Sequence, residues 1–122
     1  TYTNSLPSSP NSYHKWWRTI SGLVPNGTYT LRGWADDHGS VWANYNFITA
    51  TAPYQLNFNL TDGPNTVLVQ ANSQGGLRLI IVLFNGDNQQ PTFLGNPGWV
   101  SVQLLSGNNV IWNLSQVTGA GY

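Results

Sequence analysis

Residues 25–35 read Pro25-Asn26-Gly27-Thr28-Tyr29-Thr30-Leu31-Arg32-Gly33-Trp34-Ala35. Proline presets one backbone φ and Asn-Gly accepts positive φ, so the stretch opens with a turn. From Thr28 onward the residues alternate with a period of two. Tyr29, Leu31, Gly33 and Ala35 share one face, and Thr28, Thr30, Arg32 and Trp34 share the other. A turn feeding such a run predicts a half-buried antiparallel strand.

The same grammar extends in both directions. Upstream, residues 1–13 hold Pro7, Pro10 and Asn/Ser clusters and read as an irregular lead-in. His14–Leu23 reads as a strand. Downstream, Asp36-Asp37-His38-Gly39-Ser40 reads as a loop, and Val41–Thr51 as a second alternating run. Tyr54–Leu60 and Thr66–Ala71 are further strands. Leu77–Phe84 is nearly all apolar and reads as a central strand buried on both faces. A long polar loop over 85–97 precedes strands at Trp99–Leu105 and Val110–Leu114. No segment keeps a helical period over about ten residues. About eight short strands with regular turn punctuation predict an all-β fold, a two-sheet antiparallel jelly-roll β-sandwich forming one domain over 14–122.

Composition narrows the function. The chain has 122 residues, 40% hydrophobic and 13% aromatic, but only 7% charged, with net charge zero. Four Lys/Arg are too few for a nucleic-acid groove, which needs clustered cations. The absence of cysteine excludes disulfides and thiolate chemistry. No apolar run approaches the roughly 18 residues of a membrane helix. The chain opens on Thr1 without Met, as expected of a module excised from a longer protein. Its polarity comes from 15 Asn, 7 Gln, 11 Thr and 10 Ser, set among 6 Trp and 6 Tyr. Amides, hydroxyls and aromatic faces suit a neutral, hydroxyl-rich ligand, although any secreted or virion β domain shares such a composition.

Strand parity sharpens this. Val41, Ala43, Tyr45 and Phe47 oppose Trp42, Asn44, Asn46 and Ile48, while Val100, Val102 and Leu104 oppose Trp99, Ser101, Gln103 and Leu105. The aliphatic faces form the core, and the opposite faces mix Trp with Arg, Asn or Gln. A pyranose ring has an apolar C–H face and a rim of hydroxyls. Indole rings suit the first and amides, guanidinium and carboxylates the second. Arg32, Trp34, Trp42, Asn44 and Gln103 are therefore candidates for one sheet-face platform. Trp34 and Trp42 could equally cover a small second core under the 85–97 loop. Asp36, Asp37 and His38, beside Trp34, could accept sugar hydroxyls or bind calcium, but they lack a calcium-loop spacing. Trp16 and Trp17 must face opposite ways, one of them into the core. With His14, Lys15 and Arg18 they read as a protected edge strand.

Catalytic signatures are missing. A glycosidase usually needs two positioned carboxylates, and only four Asp and no Glu exist. There is no G-x-S-x-G, and two His far apart make no zinc motif. No metal or cofactor is expected.

Two stretches resemble a known family. The segment Ile20–Ala35 resembles a recurrent strand–turn–strand of jelly-roll carbohydrate-binding modules. Trp99–Trp112 resembles the closing strand and turn of such modules in tail proteins of phages infecting Gram-positive bacteria, particularly the insertions of enlarged distal tail proteins. The resemblance spans roughly 14–114. It implies a jelly roll, a virion tail or baseplate location, and host cell-wall polysaccharide and other tail subunits as partners. It puts Arg32, Trp34 and Gln103 on a ligand-lining face. Leu105 stands where the family commonly has an acidic residue, and its early Asn-rich segment is not recognisable, which argues against structural calcium. The expectation is a non-catalytic saccharide-binding module. The alternative is a structural module that packs against another tail subunit.

Overall fold

A computed structural model describes residues 12–36, 38–44, 56–85 and 98–117. Eight strands account for most of them: β1 (Ser12–Ile20), β2 (Thr28–Asp36), β3 (His38–Asn44), β4 (Leu56–Leu60), β5 (Asn65–Gln70), β6 (Leu77–Asn85), β7 (Trp99–Ser106) and β8 (Asn109–Val117). No helix occurs among the described residues. The strands form two four-stranded sheets, ordered β1-β6-β3-β4 and β5-β2-β7-β8, and every pairing is antiparallel. The expected all-β sandwich is thus present. Of consecutive strands, only β3–β4 and β7–β8 are hydrogen-bonded neighbours.

The core lies between the sheets and is built from the faces that alternation assigned inward. Leu31, Val41, Leu77, Leu79, Ile81, Leu83, Val100, Val102 and Leu104 are fully buried. Each such side chain contributes about 1.5–3 kcal/mol by leaving water. β6 sits centrally, between β1 and β3, as its apolar run predicted. Its outward face is more open than expected: Arg78, Ile80 and Phe84 are half-buried, and only Val82 is buried. In β7 alternation breaks where a register shift between Leu104 and Leu105 interrupts the β7–β8 ladder and both leucines are buried. A bulge re-aims side chains in this way.

The turn at Val24–Gly27 forms as its chemistry requires. Gly27 N donates to Val24 O at 2.8 Å, and Asn26 takes φ 58°. Pro at the second position and a positive φ at the third make it a type II turn. It is stitched to the turn after β5. Leu23 N donates to Gly75 O at 2.9 Å and Asn26 N to Asn72 O at 3.0 Å. Asn72 is the buried hub, its Oδ1 accepting from Gln74 N at 2.9 Å and Gly76 N at 2.8 Å.

Several boundaries differ from expectation, and residues 45–51 of the predicted second run lie outside the described residues. Ser12 and Tyr13 belong to β1 rather than to a lead-in. Four of the five residues of the predicted Asp36–Ser40 loop are strand, and Asp37 lies outside the described residues. Asp36 pairs with Trp99 at the end of β2, and β3 begins at His38. Gly39 looked like loop punctuation, but it is a close-approach glycine. A Cβ built there would land on the Val82 carbonyl oxygen of the neighbouring strand.

Candidate functional site

With the inner faces spent on the core, each sheet has one outward face. On the second sheet, β2 and β7 bring together Arg32, Trp34, Trp99, Ser101 and Gln103. Arg32 stands opposite Gln103, and Trp34 opposite Ser101. The Arg32 Nε and Nη2 both donate to Gln103 Oε1, at 3.0 and 2.7 Å. The guanidinium carbon lies 5.3 Å from the Trp34 ring centroid, a cation–π contact. Ser101 and Ser115 hydroxyls meet at 3.3 Å. Asp36 closes the row opposite Trp99. A shallow depression of about 240 Å³ lies among Trp34, Trp99, Ser101 and Gln103. Its polar groups are largely occupied with one another, and the Trp34 face carries the Arg32 guanidinium.

Trp42 and Asn44 are not part of this cluster. They lie on β3, in the first sheet, with His38. The inner faces of the two sheets meet, so their outer faces point in opposite directions. The expected platform of Arg32, Trp34, Trp42, Asn44 and Gln103 is therefore split between the two sides of the sandwich. The His38 ring packs at a tilt against Phe84, ring centroids 4.4 Å apart, and Asn44 holds the register position opposite Arg78.

The outward face of the first sheet carries a larger concavity than that of the second. A groove of about 500 Å³ is lined by Lys15, Trp17, Ser40, Trp42, Ile80 and Val82. Cross-strand register builds it. Trp17 stands opposite Ile80 and Ile80 opposite Trp42, while Lys15 stands opposite Val82 and Val82 opposite Ser40. Trp17 is 59% exposed and Trp42 40%. Two interstrand steps separate their backbones by about 10 Å. The Trp42 Nε1 donates to Ser40 Oγ at 3.2 Å, which ties one indole to the rim. Asn59 extends the Ser40 row on β4 and is exposed.

Trp17 is the residue that sequence reading undervalued. Alternation said only that one of Trp16 and Trp17 faces the core; Trp16 is the buried one and Trp17 faces outward. Its link to Trp42 depends on β6 lying between β1 and β3, which no local pattern encodes. At the same edge, the His14 ring lies 6.5 Å from that of Trp16, and partial burial lowers its pKa from the ordinary histidine value.

No family model, curated protein or solved structure matches this chain. The side chains themselves therefore carry the functional reading. Among the described residues no group of three or more His, Cys, Asp or Glu could hold a metal ion. Two exposed indoles over an aliphatic floor, with hydroxyl, amide and ammonium groups at the rim, suit binding of a flat-faced polar ligand.

Proposed function

We propose that this chain is a non-catalytic carbohydrate-binding module whose ligand lies across the outward face of the first sheet. The observation that carries the reading is the pair of exposed indoles, Trp17 and Trp42, flanking Ile80 in one groove. Their backbones stand two interstrand steps apart, about 10 Å, a distance over which one saccharide chain can reach both indoles. Ser40 and Asn59 supply hydrogen-bonding groups for hydroxyls. The Arg32–Trp34–Gln103 cluster, internally satisfied on the opposite face, is read as structural.

The resemblance to phage tail modules supplies the biological setting: host cell-wall polysaccharide met during adsorption. A shallow site with two stacking rings binds weakly, and presentation in several copies raises avidity through effective concentration. The test is labelling of intact Gram-positive cells by the fluorescently tagged chain, with free saccharides as competitors. Labelling that one saccharide abolishes supports the proposal. Cells that stay unlabelled, or labelling that no saccharide displaces, would overturn it in favour of a module packing on another tail subunit. Release of reducing sugar from a bound polysaccharide would refute the non-catalytic assignment.

A further inference from the structure

The groove on the first sheet divides into a floor and a rim. Ile80 and Val82 are neighbours on the outward face of β6, about 7 Å apart along the strand, and form the floor. Trp17 and Trp42 stand on either side of Ile80, and Lys15 and Ser40 on either side of Val82. β6 lies between β1 and β3 and commits its backbone N–H and C=O groups to those two ladders. The floor therefore offers a ligand no hydrogen bond. A hydroxyl pressed on it would leave water without a partner, which is unfavourable. Ile80 is only half-buried, so apolar surface remains open to a ligand there.

The rim has a bias of its own. Among the described residues that line the groove, no side chain carries a carboxylate or an amide. The amide of Asn59 stands one strand further out, on β4. The Lys15 ammonium and the Trp17 indole N–H can only donate. Ser40 Oγ already accepts from Trp42 Nε1 at 3.2 Å, which leaves its own O–H to donate outward. The complement of such a groove is a group with an acceptor oxygen at one end and a small apolar body at the other. A plain sugar hydroxyl is a poor match, since it brings a proton that this rim does little to accept. An acyl group has both parts: a carbonyl oxygen that only accepts, and a methyl that needs no partner.

We propose that the saccharide taken by this groove is acetylated. Its rings stack on Trp17 and Trp42, an acetyl methyl rests on Ile80 and Val82, and the acetyl carbonyl accepts from Ser40, with Lys15 as the second donor beside Val82. This rests on the carbohydrate-binding reading and narrows it to one ligand chemistry. N-acetyl and O-acetyl groups share that chemistry, so both belong in the test.

The test is an array of matched glycans that differ in one substituent (hydroxyl, free amine, N-acetyl or O-acetyl), probed with the full chain and with Ser40→Ala, Ile80→Thr and Trp17→Ala. Binding should favour acetylated over plain glycans about eight- to fortyfold, from about fourfold for the methyl and about two- to tenfold for the carbonyl hydrogen bond. The N-acetyl and O-acetyl arms identify which linkage is read. Ser40→Ala also frees the Trp42 indole and so weakens every glycan. The readout is therefore the ratio of acetylated to plain binding, which should fall about two- to tenfold. Ile80→Thr should lower the same ratio. Equal or stronger binding of the plain glycans, lost in Trp17→Ala, would overturn the acetyl assignment and leave the carbohydrate reading standing. A preference for acetylated glycans that Ser40→Ala and Ile80→Thr both leave intact would put the acetyl group elsewhere and likewise overturn the assignment. No glycan bound at all would overturn both.

Discussion

Replacing Trp17 or Trp42 by Ala should cost affinity in proportion to the indole face each offers. A Trp side chain has up to about 250 Å² to bury. At 59% and 40% exposure, about 150 Å² and about 100 Å² remain open. A stacked pyranose covers one of two ring faces, so roughly half of each area, about 75 and 50 Å², leaves water on binding. At about 25 cal/mol per Å² this amounts to about 2 kcal/mol for Trp17 and about 1.2 kcal/mol for Trp42. With 1.4 kcal/mol per factor of ten, Trp17→Ala should weaken binding roughly 25-fold and Trp42→Ala roughly 8-fold.

Isothermal titration with the saccharide that displaces the tagged chain from cells measures both. Trp34→Ala is the internal contrast, since Trp34 lies on the opposite face and its loss should leave affinity unchanged. Urea unfolding of each variant checks that the sandwich is intact, and exposed indoles predict little loss there. Unaltered affinity in Trp17→Ala and Trp42→Ala, with folding preserved, would refute the stacking site. A loss confined to Trp34→Ala would move the site to the second sheet.

Three further outcomes test the scaffold. Asn72→Ala leaves the Gln74 and Gly76 amides without their Oδ1 acceptor and should cost about 1–3 kcal/mol in urea unfolding. Gly39→Ala drives a Cβ into the Val82 carbonyl in the β3–β6 ladder. It should destabilise by at least the roughly 1–3 kcal/mol of an overpacked core, and it should weaken binding as well, because Ser40 and Trp42 ride on that ladder. His14 has a lowered pKa from desolvation, so the unfolded chain takes up its proton at a higher pH than the folded protein. Stability should therefore fall as pH drops through about 6.5, and the thermal midpoint of His14→Gln should depend less on pH across that range.

Much of the fold was legible because a strand's two faces are written in its own residues. Tyr29, Leu31 and Ala35 went inward together, and Val100, Val102 and Leu104 likewise. The Pro25-Asn26-Gly27 turn also took the geometry that its residues dictate. The misread segment, 36–40, failed because Asp, His and Gly are turn formers by local chemistry. There a cross-strand neighbour decides instead. Gly39 is required by the proximity of Val82, and the His38 ring is held on Phe84, contacts between positions far apart in sequence.

The candidate site was half legible for the same reason. Parity correctly assigned Trp34 and Trp42 to outward faces, but parity is a property of one strand and says nothing about which strands share a sheet. β2 and β3 are consecutive, yet they lie in opposite sheets, so two indoles expected side by side point away from each other. The neighbour that Trp42 does acquire, Trp17, sits on β1, and β6 must enter between β1 and β3 before the two can flank Ile80. Strand pairing therefore decides the chemistry of this surface: it sets which rings share a face and which polar groups stand beside them.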